Sequence, residues 1–179
     1  MGLLSANEKT AIQGEPVYRH IWKILVPQAA GSGTVQSNTI HDDVDGPICV
    51  TDPGEYAVEG VNQSLGVPGN MTSGMYRFEV ANGDGLFYTA TSGNWFYNTT
   101  GSYQADPIEC DLQHIIYVKI ADGSWSLLEM LSYEGKIQDI EYNDNTRTAV
   151  IEAKAIAAVA MDYEWVNDDG IETETSMNF

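Results

Sequence analysis

Basic residues are scarce in this sequence: 8 Lys and Arg stand against 26 Asp and Glu in 179 residues, a formal net charge of −18 at pH 7. Such a field repels phosphate backbones and anionic lipid surfaces, so neither direct nucleic-acid binding nor membrane attachment is expected. Cysteine is scarcer still. Cys49 and Cys110 are far apart and belong to no metal-ligand spacing, which favours free thiols in a reduced compartment over a disulfide framework. Long apolar runs are missing, so no stretch approaches membrane-spanning length. "MGLLSANEKTAIQG" has no basic region followed by an apolar one, and Ala6 stands where a myristoylation pattern needs Ser or Thr. Neither a secretory signal nor a lipid anchor is expected, and synthesis in the cytoplasm is.

What the chain does have is enough apolar residues, 43%, to bury a core as one domain. Ser5 followed by Glu8 is a capping-box pair, and Gly14 with Pro16 closes the segment, so residues 5–13 are expected as a short helix. "VYRHIWKILV" (17–26) reads as a strand with Tyr18, His20, Trp22, Ile24 and Val26 on one face. Residues 28–47 read as loop. "ICVT" and "EYAVEGV" read as short strands about a "DPG" turn, and "MYRFEVANGDGLFYTATS" as a hairpin turning at Asn82–Gly85. "NWFYNTTGSY" reads as a further strand and loop. "HIIYVKIADGSWSLLEML" reads as a hairpin on Asp122-Gly123, with both turn residues at positive φ, and two more strands follow, joined at "NDNT". Residues 154–162 have a weak helical pattern. The expected class is mainly β: a single-domain antiparallel β-sandwich or barrel over residues 1–160 with a short N-terminal helix, followed by an acidic extension at 161–179.

Chemistry-bearing residues form no coherent motif. "ECDLQH" brings Cys110, Asp111 and His114 close together, a thiol near an imidazole, yet nothing around them marks a nucleophile or an oxyanion hole. His20 and His41 offer no zinc spacing. Asp42, Asp43 and Asp45 in "HDDVDG" are hard oxygens suited to calcium, but the ligands an EF-hand loop needs after Gly46 are missing, so a solvated acidic loop is expected. The acidic run from Asp42 to Glu59 also has no Lys or Arg between Lys23 and Arg77 to compensate it. Trp95, Tyr97 and Tyr103 among Asn, Ser and Gly fit a sugar-stacking loop, and equally a core or an assembly edge. No phosphate loop or dinucleotide fingerprint occurs. No catalytic residue, metal or cofactor is therefore expected.

"LLSANEKTAIQ" followed by an aromatic–aliphatic strand, then "ICVTDPGEYAVEGV", resembles the opening of distal-tail and hub-type baseplate proteins of tailed bacteriophages. "YVKIADGSWSLLEMLSYEGKIQDIEYNDNTRTAVIEAKAI" is similar to the same family's later hairpin and its F/Y-x-G-x-I/V-x-x-I strand. Tyr133, Gly135, Ile137 and Ile140 sit at that motif's positions, with Val150, Ile151 and Ala153 in the strand after it. The resemblance implies a non-enzymatic virion protein in a tail or baseplate ring. Its partners would be copies of itself, as a homo-oligomer, and other virion proteins. A capsid decoration protein on the phage head is the alternative within the same class, and a carbohydrate-binding β-domain the alternative outside it.

Two stretches are expected to make the interfaces. Ile137 and Ile140 fall on opposite faces of a regular strand, so either a bulge re-aims one of them or both faces are covered, the second by a neighbour; Gly135 permits close backbone approach or a bulge. Residues 161–179 hold Asp162, Glu164, Asp168, Asp169, Glu172 and Glu174 without a single Lys or Arg, together with Trp165, Ile171, Met177 and Phe179. A disordered solvating tail would be poor in large apolar residues. Four of them suit docking on a neighbouring subunit, with carboxylates setting register.

Overall fold

The computed structural model describes residues 4–29, 35–51, 57–59, 75–128 and 133–155. Helix α1 (Ala6–Gln13) starts where the capping box places it: the Ser5 hydroxyl accepts from the Glu8 amide at 3.3 Å, and the Glu8 carboxylate accepts from the Ser5 amide at 2.6 Å. Among the described residues ten strands follow: β1 (Tyr18–Pro27), β2 (Val35–Asp42), β3 (Ala57–Glu59), β4 (Met75–Ala81), β5 (Tyr97–Asn98), β6 (Tyr103–Gln104), β7 (Asp111–Lys119), β8 (Trp125–Leu127), β9 (Tyr133–Asn143) and β10 (Thr148–Ala155). All except β5 and β6 join one antiparallel sheet in the order β2-β1-β7-β9-β10-β4-β3, with β8 also paired to β7. The sheet curls into a half-barrel, within the mainly β class expected.

Residues 28–47 are not all loop, because β2 runs through them. Its composition hides it: Gln36 and Asn38 point at backbone, not at apolar neighbours. The Gln36 side-chain oxygen accepts from the Thr99 amide at 2.8 Å, and the Asn38 amide donates to the Trp95 carbonyl at 2.8 Å. The expected strand at 48–51 reduces to single bridges, His41 with Ile48 and Val50 with Val80. They tie β2 to β4 across the open side of the half-barrel.

The hairpin expected over 75–92 does not form. β4 is its first half only, and β4 pairs with β10 and β3. From Asn82 to Tyr97 the chain instead makes consecutive tight turns, with amides of residues 85, 88, 91, 94 and 97 each donating to the carbonyl three residues back. Two asparagine side chains replace the missing ladder: Asn82 accepts from the Phe87 amide at 3.1 Å and Asn94 from the Phe96 amide at 2.9 Å. Phe87 and Phe96 are thereby held fully buried over one end of the barrel.

The β7–β8 hairpin is present with a different turn. Lys119 pairs with Trp125, the Gly123 amide donates to the Ile120 carbonyl, and only Gly123 has positive φ, at 86°. This is the three-residue loop that ends in one left-handed residue, so Asp122 does not need positive φ. Of the stretch 154–162, Lys154 and Ala155 belong to β10 and are not helical; the rest lies outside the described residues.

Inward side chains alternate along β1 and β7, and they form two apolar clusters. The larger contains Trp22, Ile24, Leu112, Phe78, Phe87, Phe96, Ile137 and Ile151. The smaller contains Ile116, Val118 and Leu128, closed by Leu4, Ala11 and Ile12 at α1. Between them, on both strands, sits a histidine.

Candidate interaction surface and the buried histidine seam

In β9, Asp139 pairs with Glu152 but Ile137 pairs with Ala153, so Gln138 is an extra residue opposite no partner. This bulge reverses the alternation after Ile137. Ile137 is fully buried and Ile140 packs against the same cluster, so both point inward. Gly135 is buried too: a Cβ there would lie 2.6 Å from the Lys154 carbonyl oxygen and against the Tyr133 hydroxyl. Of the two arrangements left open for Ile137 and Ile140, the bulge is the one formed. The motif's apolar side chains are spent within the subunit. Trp165, Ile171, Met177 and Phe179 lie outside the described residues, as does the boundary at residue 160.

A row of partly buried apolar side chains faces outward on the other side of β1 and β7. Their odd-numbered residues point away from the core, and the register sets Ile21 beside Ile115, Arg19 beside Tyr117, and Tyr117 beside Leu127 of β8. Ile21, Ile115, Tyr117 and Leu127 belong to neither buried cluster, and Leu127 is 41% exposed. On β1 and β7 this face carries Arg19, Lys23 and Lys119, and the neighbouring β9 adds Lys136 beside Asp111. Arg19 is held by Asp42 and Asp45 at 2.6 and 2.8 Å, and Lys136 lies 3.4 Å from Asp111. Lys119 sits over the Trp125 ring at 5.8 Å. Neither Lys119 nor Lys23 has a carboxylate partner among the described residues. Alternation in "VYRHIWKILV" and "DLQHIIYVK" carried the signal for this face, since each strand also places isoleucine at an outward position.

The Arg19 contacts also correct the picture of an uncompensated acidic loop. Asp42 receives the guanidinium through two hydrogen bonds, at 2.9 and 2.6 Å, and accepts from the Val44 and Asp45 amides. The Arg19 hydrogen bond, first among these causes, holds its carboxyl below the usual range. Asp43 accepts from the His20 amide at 3.1 Å. Among the described residues no group of three or more His, Cys, Asp or Glu is placed to hold a metal.

The histidine seam crosses the barrel interior. His20 Nδ1 lies 3.0 Å from His114 Nε2, and His114 Nδ1 lies 2.7 Å from the Tyr76 hydroxyl. Trp22 stacks on the His114 ring at 3.8 Å, and Tyr133 stacks on Tyr76 at 4.4 Å. The two facing histidine nitrogens share one proton between them, so the seam cannot take both rings in the doubly protonated form without opposing two N–H groups. Burial, then the nearby His20 and His41, lowers His114 to about 3. Burial lowers His20 and His41 as well. Ninety-four residues separate His20 from His114, and no local pattern joins them.

The nucleophile candidates are poorly placed for chemistry. Cys110 is fully buried, its thiol within 3.7 Å of the Asp106 carbonyl, and desolvation pushes it up to about 12. A thiol in that state is a packing group. Both cysteines are free. Trp95, Tyr97 and Tyr103 are partly buried: Trp95 and Tyr103 pack against the core, and the Tyr103 hydroxyl donates to Glu109 at 2.8 Å. No protein-family model, no curated protein and no solved structure matches the chain.

Proposed function

We propose that this chain is a non-enzymatic structural subunit of a phage virion, a tail or baseplate ring component that acts through its interfaces. The observation that carries the proposal is the outward face of β1, β7 and β8. It presents Ile21, Ile115, Tyr117 and Leu127 on a domain whose core is already filled by other side chains. Apolar residues gathered on one rigid sheet face, with cations beside them, have the composition of a subunit interface. The burial of Cys110 and His114 supports the same reading, because both are withdrawn from any substrate. The phage assignment rests on the resemblance of "LLSANEKTAIQ" and of the strand containing Tyr133, Gly135, Ile137 and Ile140 to tail proteins.

Labelled antibody on purified particles tests this directly. Label at the tail end supports the proposal. Label on the head replaces it with a capsid decoration protein, and label at neither place removes the virion reading.

A further inference from the structure

We infer that the outward face of β1, β7 and β8 receives residues 161–179 of a neighbouring copy. The face offers an apolar row, Ile21, Ile115, Tyr117 and Leu127, with the ammonium groups of Lys23 and Lys119 at its two ends. Residues 161–179 are its chemical complement: six carboxylates with no Lys or Arg, and Trp165, Ile171, Met177 and Phe179 interspersed. In a chain with 26 acidic and 8 basic residues, two copies repel over most of their surfaces. An acidic segment therefore finds favourable contact only where cations are both gathered and unpaired. Arg19 and Lys136 already have carboxylates, which leaves Lys23 and Lys119 to set the register of the incoming segment while the apolar row supplies affinity. Nineteen residues spanning up to about 60 Å when extended are long enough to lie along both strands. That the segment comes from another copy rests on the assembly reading above.

Three full-length proteins test the inference: wild type, a face variant (Lys23→Glu with Lys119→Glu) and a segment variant (Asp168→Lys with Asp169→Lys). Sedimentation velocity is recorded for each alone and for an equal mixture of the two variants. Wild type should self-associate, and each variant alone should do so about tenfold or more weakly, since like charges then meet at the contact. The mixture should recover wild-type association, because each variant supplies the complement of the other; recovery also shows that both are folded. A mixture as weak as its components, or a wild type that does not self-associate, overturns the inference. Association through this face by a protein missing from particles would defeat the virion reading and leave this one standing. Particle incorporation indifferent to both charge reversals would do the reverse.

Discussion

Gly135 shows how little freedom single positions have. Its hydrogen faces the Lys154 carbonyl of the paired strand and the Tyr133 hydroxyl two residues back, and neither β10 backbone nor a stacked tyrosine can give way cheaply. Gly135→Ala should therefore cost about 1–3 kcal/mol, read as a lower denaturant midpoint with an unchanged slope. Tyr133 itself gives the opposite expectation. Its hydroxyl is buried without a hydrogen-bond partner among the described residues, and burial raises its pKa above the ordinary value near 10. Removing an unsatisfied buried hydroxyl removes a desolvation cost. Tyr133→Phe should be neutral or stabilising by about 1 kcal/mol in the same titration, and a clear loss of stability would show that the hydroxyl is paired.

Among the elements, the seam formed by β1, β4 and β7 couples stability to pH. His114 has its pKa lowered in the fold, from an ordinary value near 6.5 to about 3. The unfolded chain therefore binds more protons between those values, so stability is complete above about pH 6.5 and falls as the pH drops towards 3. By pH 5 the share from His114 alone is about 2 kcal/mol, with His20 adding in the same direction. Thermal melts should fall from pH 7 to pH 5 before most carboxylates titrate, and His114→Gln should flatten that slope. Equal slopes in the two proteins would mean that His114 is not buried in its neutral form.

Elements whose cause is local were legible in the sequence. The Ser5–Glu8 box and the alternation of β1 and β7 each need only neighbours along the chain. β2 was not, because its Gln36 and Asn38 are satisfied by backbone near residues 95–99. The turn series at 82–97 carried a misleading hairpin signal: "ANGDG" has hairpin composition, but Asn82 spends its side chain holding Phe87, not reversing a ladder. The bulge at Gln138 appears only when β9 is laid against β10, and with it the true direction of Ile140. Outward isoleucines were visible as odd positions in two strands. That they sit side by side required the β1–β7 register.

At the scale of the whole molecule, the proposed function rests on surfaces. The interior is committed to two apolar clusters and a histidine seam, and a row of apolar residues outside both clusters lines one outer sheet face. Sedimentation equilibrium of the full-length wild-type protein across a wide concentration range is the most direct test. At high concentration the mass should approach an integral multiple of 19.6 kDa, and on dilution it should fall along a reversible mass-action curve. A mass of 19.6 kDa at every concentration would contradict it.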